Sequence, residues 1–359
     1  MAIAHRVPIT LDTLPDIDLR HLVRLSDDTG LIQHALYGAP DPHHGYCTDD
    51  NARALIASIW NERYQEDKPP LAPDRYLTFL TYALNPVTGR FRNFMAYDRH
   101  WLEEIGSEDS HARAMWALGV AVQHGQQAWV RELATNVFRQ AMIKLHDFMS
   151  LRPWAYGLLA LHAYLEGHPD DEEALNLRTT LAERLFGLWQ RNACEEWPWW
   201  EDELSWGNAK LPHGLLIAGV DLHRTDMVET ALKALDWLLE VQTAKEGHLT
   251  LVGNRGWYKR GKSRAQFDQQ PIEAQGIVQT CCNAAIFTGQ DRWVAEALRG
   301  FDWFHGRNDA GKSLYNHETG GCHDGLTREG LNKNQGAESC LAYVLSLLEL
   351  HMLREHLSE

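Results

Sequence analysis

Ten carboxylates stand where a chain of this kind could use them: Asp49, Asp50, Asp109, Glu201, Asp202, Glu203, Asp268, Glu273, Asp324 and Glu338. Most fall in glycine-, proline- or tryptophan-rich turns, or at the first turn of a predicted helix. Paired carboxyl groups do one chemistry well: one donates a proton to a leaving oxygen while the other activates water or attacks a sugar carbon. The segment Trp197-Pro198-Trp199-Trp200-Glu201-Asp202-Glu203 packs three tryptophans beside three acids. Apolar walls raise a carboxyl pKa and keep it protonated near neutral pH. Glu201 and Asp202 are therefore the expected proton-donor pair, with Asp202 preferred. Glu338 opens an otherwise apolar helix, where an ionised acid is costly unless it faces a cleft or a partner. It is the expected general base, with Asp268 in reserve for either role.

Other polar groups suit substrate binding. Arg53 follows Asp49 by four residues and Arg113 follows Asp109 by four, so each acid shares a helix face with its guanidinium. Asp50 adds a second acid to the first of these turns. The glycine-punctuated stretch 253–276 carries Lys259, Arg260, Lys262 and Arg264, with Trp257 among them, and then Asp268-Gln269-Gln270-Pro271 and Glu273. Lys259, Arg260, Lys262 and Arg264 are expected to form an anion subsite for phosphate or an acidic sugar. Gln269, Gln270 and Gln335 offer amides to hydroxyl groups, and Trp154 and Trp200 offer aromatic faces. His213 and His111, both at predicted helix starts, keep open proton transfer beside a carbonyl, the chemistry of sugar epimerases.

The elements that position these groups repeat. Helix starts near 48, 107, 152, 211, 270 and 335 are 59, 45, 59, 59 and 65 residues apart. Each start opens a helix rich in small and apolar residues. Amphipathic partners are predicted over 74–84, 127–149, 171–191, 226–241 and 291–304. A helix apolar all round must be surrounded by protein, and a repeated pair of one such helix with one amphipathic helix predicts two concentric rings. Further helices are predicted at 18–25 and 30–37, Thr48 is the expected N-cap of the first inner helix, and 248–252 is the clearest short strand. The expected architecture is an all-α (α/α)6 toroid spanning 1–359 as one domain, six inner helices within six outer ones.

Composition narrows the function classes. A formal net charge of -15 argues against nucleic acid, which asks for a clustered basic footprint. No run of apolar residues is long enough to span a membrane. The first residues lack the apolar core of a signal peptide, so a cytoplasmic protein with reduced cysteines is expected. His43, His44 and Cys47, or Cys322 and His323, have no recognisable metal-ligand spacing, so no metal or cofactor is expected. Nor is there a Walker or dinucleotide loop, or a Gly-x-Ser-x-Gly elbow.

Three phrases, His-Gly-Tyr-Cys-Thr-Asp-Asp-Asn-Ala-Arg-Ala (44–54), Phe-Asp-Gln-Gln-Pro-Ile-Glu-Ala (267–274) and Asn-Gln-Gly-Ala-Glu-Ser (334–339), carry a family resemblance. The chain resembles six-hairpin glycosidase-like (α/α)6 toroids. More closely, it resembles a little-characterised bacterial family whose members are sometimes fused to glycosyltransferases. The resemblance implies a carbohydrate-active enzyme on oligosaccharides, foremost a glycoside hydrolase, with a functional link to a glycosyltransferase. A glycoside phosphorylase, a sugar epimerase and a non-catalytic glycan-binding domain are the alternatives, because the toroid hosts several chemistries.

Overall fold

The structure is a computed structural model that describes residues 8–64 and 70–358. In chain order its helices are α1 (Arg20–Leu25), α2 (Thr48–Asn61), α3 (Pro73–Ala83), α4 (Glu108–His124), α5 (Ala128–Met142), α6 (Leu151–Gly167), α7 (Glu172–Asn192), α8 (Lys210–Asp221), α9 (Thr225–Val241), α10 (Pro271–Thr288), α11 (Asp291–Phe304) and α12 (Ala337–Ser358). The even-numbered helices are buried on nearly every face. They pack in sequence, α2 on α4, α4 on α6, α6 on α8, α8 on α10 and α10 on α12, and α12 returns to α2, which closes the ring. Outside it, α3, α5, α7, α9 and α11 each lie on the inner helix before them. Their apolar residues recur every three or four positions, as in Val130, Ala134, Val137, Phe138 and Ala141 of α5.

The sixth outer position departs from the simple repeat. Among the described residues α12 has no outer helix after it, and the short α1 packs against it. The inner helices approach closely where glycine permits it: a Cβ on Gly119 of α4 would sit 2.5 Å from the Ala160 carbonyl oxygen of α6, and one on Gly214 of α8 would sit 2.8 Å from the Ala155 Cα.

Several local expectations are corrected. Residues 30–37 form no helix; Ile32–Leu36 is strand β1, paired antiparallel with β2 (Ala39–Cys47) through a turn in which Tyr37 has φ 56°. A short apolar run cannot be assigned by periodicity alone, and the Tyr37-Gly38 turn decides it. β2 continues into a pairing with Phe94–Met95, so this hairpin lies over the start of α2. Residues 248–252 make only a single bridge, Leu249 to Thr243. α5 stops at Met142 and passes into a 3-10 turn at Ile143–Asp147. The N-cap of α2 is Cys47, whose Sγ accepts the Asp50 N–H at 3.3 Å, while the Thr48 hydroxyl turns away to the Arg92 carbonyl at 2.6 Å. No helix among the described residues is long and apolar enough to cross a membrane.

Candidate functional site

The ring places the N-termini of the inner helices at one end, and their first-turn side chains meet there. Arg53 of α2, only 4 % exposed, holds three carboxylates: Asp50 at 2.8 Å, Asp49 at 3.2 Å and, from α12, Glu338 at 3.2 Å. Arg113 of α4 continues the chain. Its Nη2 lies 3.1 Å from Asp109, and its Nη1 lies 3.1 Å from Asp49 Oδ1, an ion pair not aligned as a hydrogen bond. Arg113 also stacks on Tyr156 and Trp206, 4.8 and 5.5 Å from the ring centres. Arg152 of α6 lies 5.0 Å from the centre of the same Trp206 ring, and its Nη1 holds Glu201 at 2.8 Å. An alternating row of acid and guanidinium thus runs Glu338, Arg53, Asp49, Arg113, Asp109, and Trp206 links it to Arg152 and Glu201.

Five carboxyl groups on three guanidiniums cannot all be charged cheaply out of water. Burial raises the Asp49 pKa against the pull of Arg53. Burial, opposed by Arg53, raises Asp50 to about 7. Asp109 is pushed up to about 8, first by burial and then by the neighbouring Asp49 charge, so it carries its proton at neutral pH. Its Oδ1 has no protein partner. Glu338 is the most open of the row, with its side chain 42 % exposed. Beside Glu338, a cleft of about 270 Å³ is lined by Asp49, Asp50, Gln270, Asp324 and His34. His34 reaches it from β1 and stacks edge-on against His44 of β2, ring centres 4.5 Å apart.

The other expected site residues divide. Asp202 is 85 % exposed and faces Arg260 at 3.3 Å, away from the arginine row. Trp199 and Trp200 are fully buried beneath the segment: Trp200 donates to the Leu185 carbonyl, and Trp197 donates to the Glu201 carbonyl. The chain bends at 199–202 and both adjacent rings are buried, so they pack in the core and do not wall the acids. Trp154 is buried and donates to the Phe148 carbonyl. Gln269 is enclosed by Trp303, Gln266 and Asp309, and Gln335 accepts from the Thr319 hydroxyl. Glu273 is buried as a brace for the turn before α8, accepting the backbone N–H groups of Gly207 and Asn208. Asp268 is paired with Arg255 at 3.0 Å. In the basic loop, Arg264 donates to the carbonyls of Val241 and Thr250, Arg260 is shared by Asp202 and Cys194, and Lys259 lies 3.9 Å from Glu203. Trp257 is half-buried with φ 55° and packs on the core.

The two histidines singled out at helix starts are not in the funnel row. His111 is fully buried against Phe91 and Phe148, and burial lowers its pKa to about 3. His213 lies deeper in the ring, 3.3 Å from Lys210 Nζ. Lys210, Gln279 and Glu349 form a buried polar bridge across the ring, with Gln279 donating to Glu349 at 2.8 Å. Burial lowers Lys210 to about 7 and raises Glu349 to about 7. Sequence reasoning missed Arg152, Trp206, Tyr156 and this bridge. One signal was available: Lys210 and Glu349 are charges within otherwise apolar inner helices, and such groups need partners.

No protein-family model matches the chain, and no curated protein matches it in sequence. Solved structures do match its fold. A sugar epimerase from a ruminal bacterium superposes with TM-score 0.71 at 13% identity, covering 99% of each chain. The cellobiose 2-epimerase of Spirochaeta thermophila gives 0.68 at 14% identity over 96% of each. A GH76 α-mannanase from Bacteroides thetaiotaomicron gives 0.62 at 9% identity over 88% of each. These likenesses establish the (α/α)6 toroid.

Proposed function

We propose that the protein is a carbohydrate-active enzyme, a glycoside hydrolase of oligosaccharides, working at the row between Glu338 and Glu201. The observation that carries this reading is a carboxyl group kept protonated at neutral pH, Asp109, in the same funnel as the open, arginine-held carboxylate Glu338. Asp109 gives its proton to the glycosidic oxygen as the bond to the anomeric carbon breaks. Glu338 takes a proton from the water that attacks that carbon. Arg53 and Arg113 fix the carboxyl groups and hold the cluster's charge. Glu201, on Arg152, and Gln270, on the cleft wall, are placed to hold sugar hydroxyls. The donor role passes from Asp202 to Asp109 because Asp202 is exposed on the rim and paired with Arg260, with no contact to the arginine row. The loop cations are each engaged by protein groups except Lys262, which favours a neutral substrate over a phosphorylated or acidic one.

The fold neighbours add weight to carbohydrate chemistry, since those named above are sugar epimerases and a mannanase. Epimerisation is the second reading, favoured by the His34–His44 pair beside Asp324 and Glu338. A neutral glycan panel, with and without phosphate, separates the possibilities. New reducing ends in buffer alone mean hydrolysis, and release that needs phosphate means phosphorolysis. An isomerised reducing end without chain shortening means epimerisation, and binding without turnover a glycan-binding module.

A further inference from the structure

The ring has a second cavity, of about 300 Å³, at the end away from the funnel. All six inner helices contribute to it, through residues from the middle of the helix onward or, for α8, past its first turn: Trp60, Trp116, His162, His213, Asn283 and Glu349 among others. Its volume is at the lower end of small-molecule sites. Gln123, His124, Asn283, Ile286 and Met352 are half-buried or exposed where they border it, so it opens at the helix C-termini.

Its polar equipment is incomplete without a guest. His213 is 2 % exposed and its Nε2 has no partner, while its Nδ1 faces Lys210. Trp60, also buried, has an indole Nε1 with no partner. Only one Glu349 oxygen is taken, by Gln279. Buried polar groups are normally satisfied, and unsatisfied ones call for an explanation. Two indoles, Trp60 and Trp116, meet edge-on 6.4 Å apart in the same wall, offering apolar faces. The mouth faces the negative ends of the inner-helix dipoles and Glu349 lies inside, so an anion is disfavoured.

We propose that this cavity is a second binding site, distinct from the funnel, for a neutral polyol of hexose size. Glu349 and His213 hold its hydroxyls, and the indoles pack against its C–H face. The buried Lys210–Gln279–Glu349 bridge separates this site from the funnel, so it is an accessory site and not a route for substrate.

The test is isothermal titration with D-glucose and with D-mannose on the full chain, comparing wild type with Val120→Phe, which fills the cavity, and with Glu349→Gln. Wild type should bind one of these hexoses, and Val120→Phe should abolish that binding while glycan turnover stays within about twofold. Glu349→Gln should weaken it about tenfold or more, the usual worth of a hydrogen bond to a charged group. If Val120→Phe fails to fold, Glu349→Gln decides alone. Hexose affinity unchanged in Glu349→Gln or in a folded Val120→Phe, or no hexose binding by wild type up to about 50 mM, the weak end of small-ligand affinity, overturns the proposal.

Discussion

Replacing Asp109 by asparagine should inactivate the protein and stabilise it. The folded-state pKa of Asp109 is raised from 3.8 to about 8, mainly by burial. Between those values the folded state holds a proton that the unfolded state has lost, so stability falls as pH rises through that window. The slope from this one group is about 1.4 kcal/mol per pH unit, or about 2–3 kcal/mol between pH 5 and pH 7. Asparagine keeps the shape and cannot ionise, so the penalty disappears. In urea unfolding at pH 5 and pH 7, wild type should lose stability between the two conditions, and the variant should lose about 2–3 kcal/mol less. Turnover should fall by about 10²–10⁴, the usual worth of a positioned proton donor. If the two proteins showed the same pH slope, Asp109 would be an ionised partner of Arg113, and the donor assignment would fail with it.

Other variants probe the rest of the row and the ring. Glu338→Gln should lower kcat by about a hundredfold or more with little change in folding, whereas Asp202→Asn, on the solvent side of the rim, should leave steady-state kinetics within about twofold of wild type. Arg53→Met leaves Asp49, Asp50 and Glu338 without their shared cation and should cost about 3–5 kcal/mol at neutral pH. That loss should shrink at pH 5 in thermal or urea melts, because protonation relieves the buried acids. Gly119→Val would push a methyl group into the Ala160 carbonyl, 2.5 Å from the added Cβ, and should destabilise the α4–α6 contact by about 1–3 kcal/mol or more in the same melts.

The ring was legible because its cause is local. Helices apolar on every face, alternating with helices apolar on one, have few other ways to bury their surface. The repeat of Ala52-Arg53-Ala54 in Ala112-Arg113-Ala114 likewise put Asp49 and Asp109 in matching positions, and both guanidiniums bridge to Asp49. The β1–β2 hairpin was not legible, since five residues of mixed pattern fit either element until the turn is known. The partners of Arg152 were hidden for a different reason. Its contacts, Trp206 and Glu201, lie in a loop some fifty residues on, and only the closed ring brings them together. Trp197, Trp199 and Trp200 misled by adjacency, because the bends at 199–202 let all three rings turn into the core while Asp202 stays outside. Their rings fill the core and leave Asp202 in solvent.

Proton NMR of a neutral oligosaccharide panel, followed in D2O with wild type and Asp109→Asn, tests the central claim most directly. Wild type should produce new reducing-end anomeric signals in a single initial anomeric form, with no loss of the proton at sugar carbon 2, and the variant should produce almost none. Exchange of that carbon-2 proton for deuterium without chain shortening would contradict hydrolysis and assign the funnel to epimerisation, and undiminished cleavage by Asp109→Asn would contradict the proton donor.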